Sequence, residues 1–104
     1  MSPEHAITIM VERLRQALHP QRIILFGSHA RGTAGPDSDI DLLVVCAKVD
    51  DTMAAMVEAL RLFPDLPVPK DILVTDPQRL QRRAALPHTI EHAALAEGRV
   101  LYAA

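Results

Sequence analysis

The amino-acid sequence predicts a single α/β domain over residues 1–104: a small mixed β-sheet with helices packed mainly on one side and one edge left open for chemistry. Three observations carry this. Stretches with apolar residues at helical spacing alternate with short runs of β-forming residues, with no internal repeat and no linker between them. A chain of 104 residues can bury one modest core and has little left over. One predicted strand opens acidic and turns apolar halfway along a face, a pattern that packing alone does not call for.

The elements follow in order. Ser2-Pro3 is a cap followed by a first-turn proline, and Ile7, Met10, Val11, Leu14 and Leu18 recur at helical spacing, so a first helix runs to about Leu18. His19-Pro20 stops it, because a residue before proline is pushed out of the α region. Ile23 to Phe26 is a short buried strand that ends at Gly27, and three of the four glycines fall between Gly27 and Gly35, a loop kept for a reason other than packing. Ser38 to Cys46 reads as a second strand, with Asp39 and Asp41 on one face ahead of Leu43 and with Ile40, Leu42, Val44 and Cys46 on the core face. Asp50, Asp51 and Thr52 are candidate caps for a helix whose Met53, Met56, Val57 and Leu60 form an apolar stripe ending near Phe63-Pro64, with the methionines as core filling. A third strand spans Val68 to Val74. Asp76-Pro77 caps a helix to about Leu86, and Pro87 breaks it. A second short helix carries Ile90, Ala93 and Ala94 up to Gly98, and Val100 to Tyr102 can add a terminal strand.

Composition narrows the function classes. Hydrophobic residues make up 49% and charged residues 23%, yet no stretch approaches the ~20 apolar residues of a membrane span, so neither disorder nor a membrane anchor is expected. Eleven basic against thirteen acidic side chains leave a net charge of −2, so no overall field draws in a nucleic-acid backbone. The lone Cys46 permits no internal disulfide and reads as a buried thiol. With an N-terminus that lacks the pattern of a secretory signal, a cytoplasmic protein is expected.

The chemistry concentrates in Gly27-Ser28, Arg31-Gly32 and Ser38-Asp39-Ile40-Asp41. Carboxylates at i and i+2 of a strand point the same way with Cα atoms about 6.6 Å apart, so their oxygens can converge on one hard cation or bridge two, as magnesium sites that also take phosphates require. If Ser28 opens a short helical turn, its hydroxyl and nearby backbone N–H groups favour an anion, with Arg31 one turn on as a charged donor. Each half alone is weak: a glycine-serine pair after a strand is commonly a plain turn, and D-x-D is often a solvated strand edge. Together they bring phosphate and magnesium between two strand ends. A third carboxylate is wanted to complete a metal shell and accept a proton. Asp71 is the best candidate, because Asp71 followed by Leu73 repeats the polar-then-apolar order of the second strand, whereas Asp65 lies in a proline-rich loop and Asp76 reads as a helix cap.

Gly27-Ser28-His29-Ala30-Arg31-Gly32 followed by Ser38-Asp39-Ile40-Asp41-Leu42 resembles the signature of the minimal nucleotidyltransferases of the DNA polymerase β superfamily, and the likeness runs on to the closing Glu97-Gly98-Arg99-Val100-Leu101-Tyr102. The resemblance implies the polymerase β-like nucleotidyltransferase fold. It also implies that Asp39 and Asp41 hold two magnesium ions, that Asp71 completes the site, and that Gly27, Ser28 and Arg31 hold the triphosphate of ATP. Lys70, just before Asp71, departs from the more usual apolar neighbour. By the same resemblance the partner is a HEPN-domain toxin, which the nucleotidyltransferase neutralises as antitoxin by transferring AMP from ATP to a tyrosine hydroxyl. A chain of this size has no room for a second domain with an acceptor pocket, so the acceptor is expected from another chain or across a homodimer interface. The rival reading is an antitoxin that acts by contact alone, with nucleotide binding residual or structural.

Three other features attract a functional reading and have plainer ones. His88-Thr89-Ile90-Glu91-His92 has the H-x-x-E-H spacing of inverted zinc peptidases, but it follows Pro87 near the end of a very small domain, and a solvated helix face accounts for it. Arg79, Arg82 and Arg83 make one basic stripe that reads as solvated, with a partner or phosphate contact as the alternative. His29 reads as an exposed loop residue beside the corner motif.

Overall fold

A computed structural model describes all 104 residues. The elements are α1 (Pro3–Leu18), β1 (Arg22–Phe26), α2 (Gly27–Arg31), β2 (Ile40–Val45), α3 (Thr52–Leu60), β3 (Lys70–Thr75), α4 (Pro77–Ala84), α5 (Ile90–Glu97) and β4 (Arg99–Ala103). The four strands form one sheet in the order β3-β2-β1-β4. β1 runs antiparallel to both β2 and β4, while β2 and β3, joined through α3, are parallel, which makes the sheet mixed.

Three of the four side-chain caps are those the sequence marks, and Thr89 is one it does not. The Ser2 side chain accepts the His5 N–H at the start of α1, Asp51 accepts the Ala54 N–H at α3, Asp76 accepts the Arg79 N–H at α4, and Thr89 accepts the His92 N–H at α5. Each satisfies one donor that the helix cannot satisfy itself. β3 starts at Lys70 rather than Val68 because Pro67 and Pro69 have no N–H to give a ladder, and the Lys70 ammonium caps the bend by donating to the carbonyls of Leu66 (3.0 Å) and Val68 (2.9 Å).

Both faces of the sheet are covered, unequally. The larger core lies under α1 and α3, where Met10 and Leu14 meet Ile23, Leu25, Leu42, Val44 and Ile72, all fully buried or nearly so. The opposite face carries a smaller core of Ile24, Phe26, Leu43, Val45, Leu80 and Ala94 beneath α4 and α5. The expected weight of helix on one side thus holds for the main core, and a thinner helical layer closes the other.

α3 corrects the expected stripe. Its inward face is Ala55, Met56 and Ala59, whereas Val57, Leu60 and Met53 lie outward, Met53 being 67% exposed. Small residues let the helix approach β3 closely, and the larger apolar side chains at the neighbouring phase are left outside. Of the methionines expected as core filling, Met10 is buried and Met1 is exposed like Met53. No helix is long and apolar enough to cross a membrane.

Candidate active site

The site forms where β1 ends and β2 and β3 begin. Phe26, last in β1, is the register partner of Asp41, and Asp41 is in turn the register partner of Asp71 on the parallel strand β3. Register partners project to the same face, so the two carboxylates stand side by side above the sheet, on the face that carries Leu43 and Leu73 two residues further along. Asp39 lies one residue ahead of β2, because the ladder starts at Ile40, and its side chain is exposed.

The glycine-serine corner is built against the same carboxylate. The segment expected as a loop contains a single helical turn, α2, entered directly from β1. Gly27 makes the entry with φ +73°, in the left-handed region that favours glycine, and a Cβ at this position would fall on Asp41 Oδ2. Gly27 therefore serves twice: it turns the chain, and it leaves room for the Asp41 carboxylate to lie against the corner. Ser28 sits inside α2 rather than at its N-cap, which is Phe26 and makes no side-chain cap bond. The capping role that would have given Ser28 a purely structural reason is absent.

Two basic side chains of α2 face the acids. His29 Nε2 lies 3.3 Å from the Ser38 carbonyl, tying α2 to the segment that delivers Asp39. It is half-buried, so the exposed loop histidine that the sequence suggests is corrected. Arg31 makes a 3.5 Å ion pair with Glu97 at the end of α5. Sequence reasoning missed Glu97 as a neighbour of the site, because only the fold brings together residues 66 positions apart. Lys70, beside Asp71 in sequence, spends its ammonium on the Leu66 and Val68 carbonyls.

Electrostatics mark Asp41 as the centre. Burial pushes its carboxyl above the usual carboxylate range, and the negative charges of Asp71 and Asp39 push it further, against a smaller opposing pull from His29 and Arg31. A cation among the three carboxylates would relieve this repulsion, and all-oxygen donors suit a hard divalent ion. Chemistry and register fit magnesium, although no three acidic, histidine or cysteine side chains are gathered as a ready-made chelate.

The competing motifs resolve elsewhere. Glu91 is buried and accepts from Arg83 Nε at 2.7 Å, His92 Nδ1 lies 2.9 Å from the Ala84 carbonyl, and His88 precedes α5, so the H-x-x-E-H residues share no site. The basic stripe is solvated at Arg82 and Arg83, the latter also pairing with Glu91, and only Arg79 departs from it, being half-buried with its Nε enclosed.

Residues 7–92 match the family described as the nucleotidyltransferase domain. A toxin–antitoxin structure with AMP-PNP is similar at 27% identity, covering 99% of this chain and 75% of that one with a TM-score of 0.66. The toxin–antitoxin MntA–HepT is similar at 22% identity, 97% and 73% coverage and a TM-score of 0.64. A complex of tri-AMPylated Shewanella oneidensis HEPN toxin with MNT antitoxin is similar at 22% identity, 97% and 72% coverage and a TM-score of 0.61. No curated protein sequence matches the chain.

Proposed function

The chain belongs to the nucleotidyltransferase domain family, and on that premise we propose that it is a protein adenylyltransferase, a single minimal domain over residues 1–104 that transfers AMP from ATP to a hydroxyl of a partner chain. The observation that carries this reading is the juxtaposition at the strand ends: Asp41 in register with Asp71, with its carboxylate laid against the backbone of Gly27. The similarity to a toxin–antitoxin complex with AMP-PNP supports an adenine nucleotide as donor, and the similarity to a complex of HEPN toxin with MNT antitoxin supports a HEPN toxin as partner, with this chain as antitoxin.

Gly27, Ser28 and Arg31 are assigned to the triphosphate. Gly27 lets phosphate oxygens approach the backbone, the Ser28 hydroxyl donates, and Arg31 draws off the negative charge that gathers on departing pyrophosphate. Asp39, Asp41 and Asp71 would hold two magnesium ions, which when bound supply charge neutralisation and lower the pKa of an acceptor hydroxyl. Asp71 is the exposed carboxylate of the facing pair, open to an incoming hydroxyl, and takes its proton. The acceptor oxygen, a tyrosine hydroxyl on the toxin, then bonds to the α-phosphorus as the bond to the β-phosphate oxygen breaks.

A contact-only antitoxin is the second reading. One experiment decides between them. The chain is incubated with its HEPN partner, ATP and magnesium, and both proteins are weighed by intact mass spectrometry. Whole AMP increments on the toxin, lost on Asp39→Asn/Asp41→Asn, are expected for the enzyme, and an unmodified toxin in a stable complex for the binder.

A further inference from the structure

Of the three carboxylates at the site, Asp39 is the one that no strand holds. β2 begins at Ile40, whose N–H donates to the Pro69 carbonyl at 2.9 Å, and Asp39 makes no backbone hydrogen bond of its own. Its direction is therefore set by the peptide that delivers it, and the carbonyl of that peptide belongs to Ser38.

Every polar group of Ser38 is engaged. Its N–H donates to the Gly35 carbonyl at 3.2 Å and its Oγ accepts the Gly35 N–H at 2.8 Å, which closes the Gly35–Ser38 turn on itself with proline at its second position. Its carbonyl lies 3.3 Å from Nε2 of His29, nine residues back on α2. A carbonyl only accepts, so Nε2 carries the proton and donates. This is the one hydrogen bond between the closed turn and α2. The half-buried ring lines an open-sided cleft of about 200 Å³ rather than the closed core, so a truncation removes its bond more than its packing.

We infer that His29 is a positioning residue for the cation site: its Nε2–H holds the Ser38–Asp39 peptide plane, and through it keeps the Asp39 carboxylate where it can share a divalent ion with Asp41. The inference rests on the nucleotidyltransferase reading above and adds the residue that joins its two halves, because His29 stands in α2 between Ser28 and Arg31, both assigned to the triphosphate. Groups that orient a metal ligand change metal affinity by about 10–100-fold, and His29, acting through a peptide, belongs at the lower end. His29 also lies near enough for its charge to act on Asp41, so bond and charge have to be separated.

The test is Mn²⁺ binding to the full chain without nucleotide, followed by electron paramagnetic resonance, beside calorimetric binding of metal-free tripolyphosphate and a melting curve on every variant. His29→Ala should weaken Mn²⁺ by ~10-fold and leave tripolyphosphate affinity unchanged. His29→Gln, uncharged but able to donate at a similar reach, should restore wild-type Mn²⁺ affinity, and His29→Asn, too short to reach the Ser38 carbonyl, should match His29→Ala. Unchanged Mn²⁺ affinity in His29→Ala overturns the inference. So does equal weakening in His29→Ala and His29→Gln, which makes the effect one of charge, or a parallel loss of tripolyphosphate, which makes it one of general structure. If neither His29→Ala nor His29→Asn folds, the ring is part of the packing and the inference falls. Wild-type Mn²⁺ binding that is absent, or that persists unchanged in Asp39→Asn/Asp41→Asn, overturns the cation site of the proposed function as well.

Discussion

The two faces of the sheet are built from the same strands and end differently. On the face under α1 and α3, β2 contributes Ile40, Leu42 and Val44, apolar from the first residue to the last. On the face under α4 and α5 the same strand contributes Asp41, then Leu43 and Val45, and β3 contributes Asp71, then Leu73. The first face is a core, whereas the second is a core for half its length and a carboxylate rim for the rest. What separates them is cover. α4 and α5 close only part of the second face, and where their side chains stop, charge can be carried at the cost of a raised Asp41 pKa. Stability and chemistry are thus divided along one strand, one residue apart.

Paired substitutions break or sharpen that division, and the largest effect is expected on rate. Asp71→Asn should lower AMP transfer to the partner by roughly 10²–10⁴-fold, the loss typical of a positioned base, with the denaturation midpoint hardly moved. Leu42→Ala, one residue from Asp41 on the other face, should do the converse. A fully buried side chain truncated in a closed core costs about 2–5 kcal/mol in urea denaturation, and the folded fraction should retain its ATP affinity. If Asp71→Asn unfolds the chain, or Leu42→Ala abolishes nucleotide binding by folded protein, the two faces are not separable functions.

A smaller effect is expected at two glycines with matching backbone and different surroundings. Gly27 and Gly32 have φ of +73° and +76°, so an alanine at either carries left-handed strain of about 1–2 kcal/mol. A Cβ at Gly32 would meet nothing within 4 Å, whereas a Cβ at Gly27 meets the Asp41 carboxylate. Gly32→Ala should therefore cost stability alone, and Gly27→Ala should cost stability and also abolish the thermal shift given by magnesium and ATP. Equal nucleotide responses would separate Gly27 from the site.

Much of this division is legible in the sequence. Period-2 alternation marks Asp39, Asp41 and Leu43 as one face, and the repeat in Asp71 and Leu73 singles out the third carboxylate from Asp65 and Asp76, because a strand's two faces are written in alternate letters. Caps are legible for the same local reason, and Asp76 is one. What is not legible is phase and distance. Met53, Val57 and Leu60 form an apolar stripe on paper, but alanines at another phase allow the closer approach to β3, and a hydrophobicity count does not weigh closeness. The Arg31–Glu97 and Arg83–Glu91 pairs join residues that the chain separates, so no spacing within one element announces them.

The smallest effect separates two carboxylates by the sign of their pH dependence. Asp65 lies outside the site and accepts a two-pronged bond from Arg13, with Nη1 to Oδ1 at 2.7 Å and Nη2 to Oδ2 at 2.9 Å. That pairing holds its carboxyl down at about 2 from an ordinary 3.8. A depressed carboxyl contributes stability in full above its unfolded value, and the contribution is lost as pH falls from about 3.8 toward about 2. Asp41 is shifted the other way, so the native state holds its proton more tightly than the unfolded chain does. Its charge then penalises folding above its native pKa, and the penalty fades as pH falls from there toward 3.8. Urea midpoints of each variant minus wild type, followed across pH, isolate the two terms. Asp65→Asn should be less stable than wild type at neutral pH and converge with it below about 3.8. Asp41→Asn should match or exceed wild-type stability at neutral pH, with the gain shrinking as pH falls toward 3.8, and excess magnesium should reverse the neutral-pH ranking by stabilising only the chain that keeps its carboxylate. A stability loss in Asp41→Asn at neutral pH without magnesium would make that carboxylate part of the packing, and the boundary between core and rim would then lie beyond Asp41.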